Sequence, residues 1–212
     1  MSVSAGAGRF IVLEGGEGSG KSTQVPRLAR RLRDEGREVV VTFEPGATVR
    51  GAELRHFLLD LEDPLDPMAE MLVIAADRAQ HVAQVVRPAL ARGADVVSDR
   101  YEPSSLAYQG AARGLGVGAV ESISRWASGG LDPHLVIVLD VPDEIADARV
   151  PPGRDRVESA GPVFHAAVRA AYRELAPARG WVVVDGAGPP DQVEEAVWEA
   201  VADRLGDRLE SA

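Results

Sequence analysis

The chain contains no cysteine and only one lysine. The first absence excludes a disulfide framework, a thiolate nucleophile and a Cys-ligated zinc site. No stretch reaches the roughly 18 consecutive apolar residues of a membrane-spanning helix. The start, MSVSAGAG, lacks both the basic and the apolar segment of a signal peptide. Residues 1–9 are therefore expected to be a disordered tail, 206–212 a second one, and the protein cytoplasmic. Basic residues are in the minority: 23 Lys+Arg against 33 Asp+Glu leave a net charge of −10 and a pI near 4.9. Such a balance argues against broad binding to nucleic acid or an anionic membrane, while leaving room for a small focused anion site. The four histidines, 56, 81, 134 and 165, are scattered, and no plausible Ser-His-Asp or Cys-His set is spelled. They read as structural.

What is present is ordinary for a folded domain: 45% apolar and 26% charged residues. The 212 residues suffice for one domain, expected over 10–205, with a full core. Of the 23 basic residues, 22 are Arg. Arg is thus the default cation, and Lys21 marks a place where a broad planar fork does not replace a compact ammonium.

Strand and helix patterns alternate along the chain. Continuous Val/Ile/Leu runs predict buried strands at Phe10–Glu14, Glu38–Phe43, Ala94–Ser98, Leu135–Leu139 and Trp181–Val184. Helical patterns lie at Ser22–Glu35, Gly51–Leu59, Asp66–Leu90, Val117–Ala127, Pro142–Arg149, Pro162–Ala176 and Pro190–Leu205. In the longest, Asp66 reads as N-cap and Pro67 as first turn, and Met68, Leu72, Ala75, Ala79, Val82 and Val86 trace one apolar face. Strands spaced by helices predict βαβ units: an α/β fold with three α/β/α layers and a five-stranded parallel sheet. Val150–Gly161, with its Pro, Gly and Arg, is expected to be a movable loop.

Gly15-Gly16-Glu17-Gly18-Ser19-Gly20-Lys21-Ser22 satisfies G-x-x-x-x-G-K-[ST], follows a buried strand and opens a helix. Glycines there let backbone N–H groups converge on phosphate oxygens at the positive end of a helix. Lys21 would reach the outer phosphates and the Ser22 hydroxyl a Mg²⁺ ion. Asp99, at a strand's carboxyl end, would back the metal. A guanine-reading N-K-x-D string is impossible with one Lys. Arg55, Arg78, Arg100, Arg154 and Arg156 fall near strand ends, on helix faces or in the movable loop, which suits a second phosphate-bearing substrate.

These strings resemble the bacterial thymidylate kinases: EGGEGSGKSTQ at 14–24, FEPGATVRGAELR at 43–55, AADRAQHV at 75–82, DRYEPSSLAYQG at 99–110, DP-H-L at 132–135 and RDRVE at 154–158. The resemblance runs from about Phe10 to Val201 and implies a P-loop kinase with a lid at about 150–161. It implies transfer of the ATP γ-phosphate to dTMP, with Mg²⁺ held through Ser22 and Asp99, usually in a homodimer. ATP would lie on Gly15, Gly16, Glu17, Gly18, Ser19, Gly20, Lys21, Ser22 and Thr23, with Arg149 against the adenine and Arg156 in the lid. The resemblance further implies that dTMP is held by Glu17, Glu44, Arg55, Ile74, Arg78, Arg100, Ser105, Tyr108 and Gln109. Lys21, Arg100, Asp99 and Arg154 would then be the catalytic set, with Arg154 supplying the cation that the Gly18-Ser19 spelling of the loop omits.

Three positions depart from the family's usual spelling. Phe43 stands where an Arg commonly precedes Glu-Pro-Gly, Ile74 where an aromatic usually stacks on the base, and Pro151-Pro152 where a basic residue is common. Two other readings accompany the first: a deoxynucleoside kinase on a related fold, and a catalytically weak nucleotide-binding subunit.

Overall fold

The computed structural model describes residues 8–59, 65–150 and 161–206. Its strands are β1 (Phe10–Glu14), β2 (Val39–Phe43), β3 (Asp95–Asp99), β4 (Leu135–Asp140) and β5 (Val182–Asp185). They form one parallel sheet in the order β2-β3-β1-β4-β5, which is the expected α/β architecture.

The strand β1 is central and buried along its whole length. Its side chains alternate between two cores, as the two-residue period of a strand requires. Ile11 and Leu13 face helices α1 (Lys21–Asp34) and α9 (Pro190–Leu205), packing on Leu28, Leu32, Val197 and Val201. Phe10 and Val12 face the opposite layer, with Val86, Tyr101, Val168 and Tyr172. The edge strands β2 and β5 are only half covered, and Val41, Phe43 and Val183 stay exposed. Registers place Leu13, Asp99 and Phe43 level across the sheet. The residues that follow them, Glu14–Gly15, Arg100 and Glu44, therefore emerge together at the carboxyl ends of the strands, where open α/β sheets bind ligands.

Helix α2 (Val49–Leu59) precedes the long helical stretch. That stretch begins at α3 (Pro67–His81), where the Asp66 carboxylate accepts the Met68 N–H at 2.9 Å, the expected cap. It passes through π-wound Val82–Val86 into α4 (Arg87–Ala91). Pro88 has no N–H to give, and the wider winding lies just before it. The apolar face expected on this stretch is corrected. Ala75, Val82 and Val86 are buried, but Met68, Leu72 and Ala79 are exposed. The inward face of α3 carries Glu70, Asp77, Arg78 and His81 instead. Of these, Glu70 and Arg78 line a cavity, and Asp77 and His81 hydrogen-bond Gly46 and Glu44 in the loop after β2.

Helix α5 (Glu102–Ser105) and π-wound Leu106–Ala112 follow β3, neither of them anticipated. After α6 (Val117–Ser128) come α7 (Asp143–Arg149) and α8 (Pro162–Arg179). Gly8 and Arg9, expected in the tail, are buried, and Arg9 forms an ion pair with Asp95. The segments 1–7, 151–160 and 207–212 lie outside the described residues, and with them most of the expected lid.

Candidate active site

The loop after β1 is shaped by glycine. Gly18 has φ +71°, and a Cβ there would lie 2.3 Å from the Ala146 carbonyl oxygen. Gly20, at φ +96°, starts α1. The Lys21 ammonium is buried and curls back to donate to the carbonyls of Gly15 and Gly16 at 3.0 and 2.9 Å and to Ser19 Oγ at 3.2 Å. Burial, with the Arg100 guanidinium nearby, pushes its pKa down to about 7. Ser22 and Thr23, at the first turn of α1, are exposed.

Arg100 holds a positive φ of 73°, the only described non-glycine residue to do so. Such a conformation costs about 1–3 kcal/mol and persists where the surroundings over-determine it. Here they do. Its N–H donates to Leu13 O, its carbonyl accepts from Ser98 Oγ, and its guanidinium donates to Gly15 O, Ser104 Oγ and Tyr108 Oη. Beneath it Glu14 is fully buried, taking hydrogen bonds from Tyr101 N, Ser104 N, Ser104 Oγ and Tyr172 Oη. Burial raises its pKa. A carboxylate closing the apolar run FIVLE was the signal for this role.

One cavity of about 170 Å³ is lined by Glu17, Glu44, Arg55, Ile74, Arg78, Arg100, Ser105, Tyr108 and Gln109, together with Glu70, Ser104, His165 and others. All nine residues expected at the acceptor site therefore meet in one place, although they come from six segments of the chain. Arg78 is 1% exposed and donates to Glu44 Oε2, Ser124 Oγ and Ser105 Oγ at 2.9–3.0 Å. His81 Nδ1 lies 2.8 Å from Glu44 Oε1, and its Nε2 2.7 Å from Thr42 Oγ1. His165 Nε2 is 3.5 Å from Glu17. Of the four histidines read as structural, His81 is fully buried with both ring nitrogens bonded, as that reading expects, whereas His165 departs from it. His81 orients Glu44, and His165 lines the cavity.

The loop after β2 is held from α3 and α2. Gly46 N–H donates to Asp77 Oδ1 at 3.1 Å, and Arg55 Nη1 donates to Pro45 O at 3.0 Å. Burial, with Glu44 nearby, pushes the Asp77 pKa up to about 6. Arg149 stands apart from the cavity and donates to Gly186 O and Ala187 O in the loop after β5. Arg154 and Arg156 lie outside the described residues.

A thymidylate kinase family model matches residues 13–197. The thymidylate kinase of Leifsonia xyli subsp. xyli is 51% identical over 191 residues, 88% of this chain and 90% of that protein. Those of Clavibacter michiganensis and Deinococcus radiodurans are 48% and 44% identical, covering 90% and 93% of this chain and 92% and 98% of their own. The chain belongs to the thymidylate kinase family. Membership in a kinase family implies ATP and a divalent metal, and one observation bears on the fit. Asp99 Oδ1 is buried with no hydrogen-bond partner among the described residues. A buried carboxylate oxygen left free at the carboxyl end of β3 suits a hard cation that keeps its waters and takes few protein ligands.

The cavity residues not anticipated, Glu70, Ser104 and His165, had weak signals. Glu70, Ile74 and Arg78 recur every fourth residue, which puts them on one helical face. His165 sits far along the chain on α8, and nothing local points to it.

Proposed function

We propose that this chain transfers the γ-phosphate of ATP to dTMP, yielding ADP and dTDP, and that the cradle and the cavity hold the two substrates. The observation that carries the assignment of residues is the convergence of all nine expected acceptor residues on the cavity, with Glu17 common to cradle and cavity.

The loop N–H groups and Lys21 hold the ATP phosphates. Arg149 borders the adenine, and Arg154 and Arg156 close over the phosphates. Arg55 and Arg100 bind the acceptor phosphate, Tyr108 packs on the deoxyribose, and Glu17 faces the 3′-hydroxyl. Ile74, Arg78, Ser105 and Gln109 meet the base. Glu44 stands between the acceptor and the metal, taken as Mg²⁺ on Ser22 and Asp99. When bound, the ion neutralises charge on the transferred group. The attacking oxygen belongs to a phosphate already anionic near neutral pH, so no strong base is required and the residues act by positioning and charge. A thymidine 5′-hydroxyl would instead need a base and no clamp of two arginines, which favours the phosphorylated acceptor.

The chain acts as a single domain over about 10–205, with about 150–161 assigned as its lid. It pairs as a homodimer; the support is the row Met68, Leu72, Ala76 and Ala79, exposed on α3. We assign it to the cytoplasm; no described helix is long and apolar enough to cross a membrane.

The test is ADP release with ATP and Mg²⁺ over dTMP, dUMP, dCMP, AMP, GMP and thymidine. The expected result is strongest turnover with dTMP. Preference for thymidine, or ATP binding without acceptor-dependent turnover, would overturn the proposal.

A further inference from the structure

The base-binding wall contains two polar groups of different character. Arg78 can only donate. Three of its five N–H groups are taken by Glu44, Ser124 and Ser105, so any remaining interaction it makes with a ligand is with an acceptor. Gln109 is ambiguous in itself, because an amide presents either an oxygen or an NH₂ according to how it is turned. Its Nε2 lies 2.9 Å from Glu70 Oε1, and Glu70 is 1% exposed. On the other side of that carboxylate, Arg113 Nη2 lies 3.4 Å from Oε2, and its guanidinium lies over the Phe164 ring. A guanidinium can only donate, so Glu70 accepts from Arg113 on Oε2 and from the Gln109 amide N–H on Oε1. Gln109 must therefore turn its NH₂ toward Glu70 and its carbonyl oxygen toward the cavity. That oxygen takes no hydrogen bond from the described residues.

We infer that Glu70 is a specificity-positioning residue: by fixing the Gln109 amide it makes the cavity present a donor from Arg78 beside an acceptor from Gln109. This order matches a pyrimidine with a 4-keto oxygen and N3–H. It opposes one with a 4-amino group and a bare N3, which would leave Gln109 Oε1 facing a lone pair. The inference rests on the assignment of the cavity to the acceptor base. Glu70 itself lies outside the motifs that carry the family resemblance.

The test uses dUMP and dCMP, which differ only along that edge. In Glu70→Gln, Arg113 prefers the new amide's oxygen, so its NH₂ faces Gln109 and turns the Gln109 carbonyl away from the cavity. The dUMP-to-dCMP ratio of kcat/KM is expected to fall about 5- to 150-fold, as for one buried polar group left unpaired. Most of the change should lie in KM, with an absolute gain on dCMP. Impaired folding would depress both substrates together and yields no such gain. Glu70→Met, which removes the acceptor and leaves the amide free, should give a smaller fall. Equal losses on both acceptors, or an unchanged ratio in both variants, would overturn the inference. If the wild-type chain prefers an acceptor other than a 4-keto pyrimidine nucleotide, the assignment of the cavity fails first. Glu70 is then refuted if Glu70→Gln leaves the wild-type ranking of the panel intact.

Discussion

Two regions meet at Glu17 and are made of different material. The cradle, Gly15–Ser22, is mostly backbone: its shape comes from glycines at φ +71° and +96° and from the start of α1. The acceptor cavity is mostly side chains, with Glu44, Glu70, Arg78, Ser105 and Gln109 nearly all buried and tied to one another. Backbone N–H groups need no partner residue to fix their direction, so a contiguous string can build a phosphate site. Buried charges need partners, because an unpaired one is costly, and those partners arrive from distant segments.

The largest effect expected from this difference is in the cavity. Arg78→Met leaves Glu44 without its guanidinium and should cost about 3–5 kcal/mol of stability, as breaking a buried pair does. Urea denaturation reads it, and a loss under about 1 kcal/mol would mean that the cavity's charges act independently. In the cradle, Lys21→Ala should lower turnover by about 10²–10³-fold, a typical cost for losing a preorganised charge contact. The urea midpoint should hold or rise, because a desolvated ammonium is removed. Wild-type Lys21, with its pKa near 7, should take up a proton when ATP phosphates arrive at pH 8. Calorimetry in two buffers of different ionisation heat measures that uptake, and Lys21→Ala should abolish it.

Asp77 gives a pH test of the cavity wall. Its pKa is about 6 in the folded chain against an ordinary 3.8, so the folded state holds the proton more tightly. Its contribution to stability is full below about pH 4 and declines as pH rises toward 6. Asp77→Asn should flatten that part of the stability profile; an unaltered slope would reassign it to Glu14 or Glu102, whose pKa values burial also raises. The smallest effect is at Ile74. Ile74→Phe should tighten dTMP binding by about 0.5–1.5 kcal/mol through stacking on the base. Weaker binding in calorimetry would place the base against another wall.

Much of this was readable in advance. The strands could be read because runs such as FIVLE and LVIVL are covered on both sides of the sheet. The acceptor residues were reached through resemblance, since no local pattern joins Glu44 to Gln109. The stretch 66–90 misled for a physical reason. Counting apolar residues finds the face a helix turns to a greasy core, whereas α3 turns Glu70, Asp77, Arg78 and His81 inward, each onto polar partners, and leaves Met68 and Leu72 outside. The short helix after β3 was missed because its start is held by Glu14, which lies on β1, far away in the chain.

By itself, the sequence determined the sheet, the cradle and the uniqueness of Lys21, because these depend on contiguous residues and on strand and helix periods. Only the tertiary structure decided which polar groups face one another: His81 on Glu44, Glu70 on Gln109, Glu14 under Arg100. The orientation of an amide, the charge of a buried carboxylate and the usefulness of a strained arginine are properties of partners. Partners are set by packing across the fold.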